Sequence, residues 1–150
     1  MKLIPLMTLH AEVKPPVEVG KGPQGQRLIG DCTGGSFEGP RLRGTVLPSG
    51  GDWLLIDPAG VGHVDGRLTL QTADGAPIYM QYYGIARSNA QVGAALAQGR
   101  AAEYGDMYYF IQPRFETGDA RYAWLNGLVA VAEGRLMPGG AEYTLFNLAS

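Results

Sequence analysis

The densest collection of reactive side chains lies at Arg114-Phe115-Glu116-Thr117-Gly118-Asp119-Ala120-Arg121-Tyr122-Ala123-Trp124-Leu125-Asn126, close behind the aromatic run Tyr108-Tyr109-Phe110-Ile111. A connector between two strands needs only a glycine and a few polar residues. This one carries guanidinium groups, carboxylates, a Trp, a Tyr and an Asn. Glu116 beside Arg114 makes the strongest acid/base pair of the chain. Nearby aromatics can bury the carboxylate, and Asn126 can donate to a developing oxyanion or enolate. The plain alternative is a turn at Glu116–Asp119 with Trp124 plugging the end of a barrel.

Two further places offer the same kind of chemistry. Asp65 with Arg67 would be an acid/base and its charge partner if both point inward: burial raises the aspartate pKa and the arginine lowers it. If both point outward they are an ordinary surface pair. Asp52-Trp53, after a Gly-Gly turn, would place a carboxylate beside an aromatic wall, suited to a phenolic or enolic ligand. The competing reading is a turn-capping aspartate and a core tryptophan. Arg67 and Arg114 would stabilise anionic oxygen, and Trp53, Tyr79 and Trp124 would supply walls.

Other constellations are poorer. His10 and His63 start no metal-ligand spacing, and Ser36, Ser49 and Ser88 lack a nucleophile-elbow context. The lone Cys32 has no electropositive neighbour in sequence to activate it. Gly20-Lys21-Gly22-Pro23-Gln24-Gly25 lacks the Lys-Ser/Thr ending of a phosphate loop and reads as a flexible loop. No metal or cofactor is therefore expected.

The elements that must position these residues are strands. Glycines (23) and prolines (10) spread along the chain give the short-strand, many-turn pattern of an all-β domain spanning 1–150. Strands are expected near Leu3–Glu12, Arg27–Asp31, Arg41–Leu47, Trp53–Asp57, His63–Thr72, Ile78–Ala86, Met107–Phe115, Leu128–Leu136 and Ala141–Leu148. Turns or bulges fall at Pro48–Gly51, Ala73–Gly75 and Met137–Gly140. Ser88–Gln98 is the exception: rich in Ala and Gln, with a cap at Ser88 or Asn89, it predicts one short, mobile helix acting as a connector or a lid. Alternation puts Asp65, Arg67, Thr69 and Gln71 on one face, and Tyr108, Phe110, Gln112, Arg114 and Glu116 on one face. Such rows face water in an open sheet, whereas a closed barrel can turn them toward a ligand cavity. The alternation alone leaves both open.

Composition removes several function classes. A net charge of −2, with no basic cluster denser than Arg41/Arg43, argues against nucleic-acid binding. No apolar run approaches the roughly 20 residues of a spanning helix, and the start lacks a signal-peptide cleavage pattern. A cytoplasmic protein without a membrane role is expected. A low charged fraction of 17% favours a homo-oligomer.

Three blocks carry a family resemblance. Phe37-Glu38-Gly39-Pro40-Arg41-Leu42-Arg43-Gly44 with Val46–Trp53, Val64–Leu70 with Ala76–Tyr79, and Tyr109–Gly118 with Tyr122–Asn126 fall in order and resemble the domain of unknown function 3237 family. The resemblance implies a calycin-like antiparallel β-barrel. It also implies, from a few fungal relatives, cofactor-free ring closure on a phenolic substrate, adding a hydroxyl across an alkene. The reading that combines both arguments is a cofactor-free enzyme for proton-transfer chemistry, cyclisation or isomerisation, on a phenolic or enolic small molecule, with Glu116 or Asp65 as acid/base. The alternatives are a carrier for an apolar or aromatic small molecule, and an interaction module with a filled barrel, outward rows and no cavity.

Overall fold

Burial follows the period-two pattern that the sequence sets. The computed structural model describes residues 1–150. Along Gly62–Thr72, Val64, Leu68 and Leu70 are buried while Asp65 and Arg67 between them are exposed. The strands are β1 (Lys2–Val13), β2 (Val17–Gly22), β3 (Gly25–Glu38), β4 (Arg43–Ile56), β5 (Gly62–Thr72), β6 (Pro77–Arg87), β7 (Tyr108–Glu116), β8 (Ala130–Met137) and β9 (Gly140–Ala149). Neighbours in sequence pair antiparallel from β2 through β9, β9 pairs with β1, and β1 pairs with β3. The result is a closed eight-stranded barrel with β2 as an extra strand held only by β3. Closure leaves no edges among the eight strands, and the inward rows fill a core that includes Leu9, Leu70, Ile78, Met80, Ile111 and Leu145.

Two departures from the expected elements have clear causes. Arg41–Leu47 and Trp53–Asp57 are parts of one strand, β4, because Pro48–Gly51 is an irregularity within it: the register against β5 shifts between Val46 and Gly50. Gly50 has a φ of 83°, and a side chain there would collide with the Arg67 carbonyl. That irregularity inserts two extra residues against β5, so the same alternation continues beyond it while the partners in β5 shift. The loop expected at Gly20–Gly25 is instead the end of the β2–β3 hairpin, where Gly22 pairs with Gly25.

The expected helix forms at α1 (Ala90–Ala97), capped by Asn89, whose Oδ1 accepts from the Val92 N–H at 3.0 Å. It is tied down: Val92 is 1% exposed, and the Asn89 side chain donates to the Asp106 carbonyl at 2.8 Å. A 3-10 helix at Ala120–Gly127 was not among the expected elements. No helix is long and apolar enough to cross a membrane.

The two ends of the barrel differ. At one end the 3-10 helix lies across the opening. Leu125 is 1% exposed and belongs to the core, Tyr122 Oη donates to Asp74 in the β5–β6 turn at 2.8 Å, and the Arg41 guanidinium stacks 3.7 Å from the Trp124 ring. At the other end the β1–β2 connection Lys14–Pro16 and the β8–β9 turn at Gly139 rim a cavity.

Candidate functional site

The cavity at the open end measures about 380 Å³, within the range of small-molecule sites. Leu28, Leu54, Leu68, Leu136 and Ala141 give it apolar walls, and its polar side chains are few: Asp52, Lys14, Cys32 and the tyrosines Tyr82, Tyr109 and Tyr143.

Asp52 reaches the cavity because it shares the inward face of β4 with Val46 and Leu54. After the register shift it pairs with Gly66 of β5, while Trp53 turns outward, 37% exposed. Its Oδ1 accepts from the Asp65 backbone N–H at 3.1 Å. Burial pushes its pKa up to about 6, with the Asp65 N–H opposing that rise and the Asp65 charge adding to it. No arginine or lysine forms an ion pair with it.

The tyrosines enter on alternating positions of β6, β7 and β9, where glycines make room for them. A side chain at Gly66 would overlap the Tyr82 ring, and one at Gly134 would meet the Tyr109 ring at 3.0 Å. Tyr109 and Tyr143 share a hydroxyl–hydroxyl hydrogen bond of 2.6 Å, their rings meet edge to face at 5.5 Å, and Tyr82 lies 5.6 Å from Tyr143. Burial raises all three above the ordinary phenol range, and the Asp52 charge adds to each. They therefore stay neutral near pH 7, and within the Tyr109–Tyr143 pair one hydroxyl donates to the other. Cys32 lines the same wall with its thiol pushed up by burial, the opposite of an activated nucleophile.

The residues singled out from the sequence divide sharply. Only Asp52 lines the cavity. Asp65 and Arg67 project from the outer face of β5, and Arg114 and Glu116 from the outer face of β7; all four are exposed, and neither couple forms an ion pair. Their rows face out because the opposite rows, Val64-Gly66-Leu68-Leu70 and Tyr109-Ile111-Pro113-Phe115, occupy the interior. Asp65 touches Asp52 only through its backbone N–H, and it lines a separate groove together with Arg114 and Asn126. Tyr79 is on the outer face of β6, 38% exposed. Trp124 and Asn126 sit at the sealed end, where Asn126 accepts from the Thr117 N–H at 2.8 Å and donates to the Thr117 carbonyl at 2.9 Å. Outward rows fit the filled-barrel module, but the open cavity does not. The tyrosines were missed, although Tyr82 stands in phase with Met80, and Tyr109 with Ile111.

Residues 1–148 match the family described as protein of unknown function, DUF3237. The chain belongs to that family. A UPF0311 protein of Bradyrhizobium diazoefficiens is 32% identical over 127 residues, 85% of this chain and 83% of that one. Among solved structures, a β-barrel-like protein from Acinetobacter baumannii superposes with a TM-score of 0.84 at 35% identity, covering 99% of this DUF3237 chain and 96% of the other. A protein from Penicillium herquei, described as an enzyme, superposes at 0.72 with 20% identity over 98% and 94%, a likeness of fold alone.

Proposed function

We propose that the protein is a cofactor-free enzyme that moves a proton on a phenolic or enolic small molecule, with isomerisation or cyclisation as the net result and Asp52 as the acid/base. One observation carries this reading: a carboxylate without an ion-pair partner, inside an apolar cavity, with its pKa pushed up to about 6. General acid/base groups work best with a pKa near the working pH. The Tyr109–Tyr143 pair and Tyr82 supply neutral donors for negative charge developing on a substrate oxygen. Proton transfer needs no further group than these. The assignment replaces Glu116 and Asp65, which face away from the cavity, as the acid/base.

The test follows hydrogen–deuterium exchange at the activated carbon of enolisable phenols and unsaturated carbonyl compounds by NMR. Native protein accelerates exchange, Asp52→Asn loses roughly 100-fold or more, and Glu116→Gln and Asp65→Asn keep the native rate. Equal rates in native protein and Asp52→Asn would sink the assignment. A second reading, a carrier, is favoured by the largely apolar walls. It predicts tight binding, no exchange, and ligand recovered unchanged.

A further inference from the structure

The cavity has a charge polarity that narrows its ligand. Asp52 is the one carboxylate among the lining residues, and Lys14 the one cation. They lie at different depths. Asp52 stands on the barrel wall among the tyrosines, while Lys14 follows the end of β1 at the rim, exposed, with no carboxylate in ion-pair range.

The rim holds Lys14 in a defined place. Its backbone N–H donates to the Asp31 carbonyl at 3.0 Å, and the preceding Val13 N–H donates to the Gly139 carbonyl at 2.8 Å. Pro15 and Pro16 follow, fixing φ on one side and biasing Lys14 itself to an extended backbone. The ammonium therefore starts from an anchored point beside the opening.

We propose that the ligand of this cavity is a phenol or enol that also carries an anionic group, bound with its hydroxyl inward at Asp52 and its anion outward at Lys14. The inference rests on the cavity being the ligand site and deepens that reading by naming a second functional group. The reverse orientation is excluded by the same geometry. An anion pushed to the depth of Asp52 would lose its hydration and meet a like charge. A neutral hydroxyl there donates to the carboxylate, and the anion stays in water beside the ammonium. An exposed ion pair of this kind is worth little, so Lys14 selects among ligands rather than supplying most of the affinity.

Calorimetry with 4-hydroxycinnamate and its neutral counterpart 4-hydroxycinnamide, at pH 7.5 and low salt, tests the proposal. Native protein should bind the acid about two- to fivefold more tightly than the amide. Lys14→Met should erase that difference and leave the amide's affinity unchanged, and added salt should shrink it in native protein. Equal affinities in native protein, or a preference that survives in Lys14→Met, would overturn the role of Lys14 while leaving the cavity as a ligand site. If neither compound binds, the inference and the phenolic reading beneath it fail together.

Discussion

The sealed and open ends of this barrel use polar residues in opposite ways. At the sealed end nearly every polar group has a partner: Asn126 brackets Thr117, Asp74 takes Tyr122 and Arg121, Asp119 takes Arg121, and Trp124 lies under Arg41. At the open end the polar groups are fewer and one of them, Asp52, is held in an unfavourable state. Asp74 and Asp119 are lowered by their hydrogen bonds, whereas Asp52 is raised by burial. A crowd of reactive residue types that satisfy one another builds structure. A single ionisable group left without a counter-charge in an apolar cavity is the better sign of chemistry.

That contrast can be broken by mutation. The largest effect is expected at the seal: Leu125→Ala removes a fully buried side chain and should cost about 2 to 5 kcal/mol in denaturant unfolding. Ligand binding at the open end should survive wherever the variant is folded. Loss of binding in a folded variant would show that the two ends are not separate in role.

Asp52→Asn should act in the other direction, and with a pH signature. Native Asp52 keeps its proton up to about pH 6, whereas the unfolded chain releases it near ~3.9. The folded state thus binds more protons between these values, and its stability falls as pH rises through that window. Asn removes the charge and keeps an oxygen for the Asp65 N–H. The variant should be more stable than native protein at pH 7.5 by about 1 to 3 kcal/mol, with the gap closing by pH 4. A pH-independent gap, or a loss of stability at pH 7.5, would contradict the unfavourable charge.

The smallest effects are expected on the outer faces. Asp65→Asn and Glu116→Gln should each change stability by less than about 0.5 kcal/mol, because both carboxylates are exposed and unpaired. A larger loss at Glu116 would mean that its strand face carries an interaction absent from the isolated chain.

Much of the scaffold could be read from the chain because alternation and turn chemistry are local. That Arg114 and Glu116 share one face and that a capped helix starts near Asn89 followed from spacing alone; which way the row points did not. The site was harder. Its acid stands in phase with Leu54, but the Pro48–Gly51 irregularity, which sequence reading takes as easily for a turn, decides that Asp52 lies opposite Gly66 of β5. Its donors come from β6, β7 and β9, and nothing local marks Tyr82, Tyr109 and Tyr143 as neighbours once the barrel closes. The signal that was present lay in small residues: Gly66 and Gly134 stand where tyrosine rings need space. The sealed end carries the residue types of an active site, while its hydrogen bonds join its own residues to one another.

Asp52 decides the account. Its side-chain carboxyl can be followed by carbon NMR across a pH titration, with Asp52→Asn identifying the signal. A midpoint near pH 6 is predicted from its burial without a counter-charge. A midpoint near the ordinary aspartate value of ~4 would place the carboxylate in water and contradict its role as the acid/base.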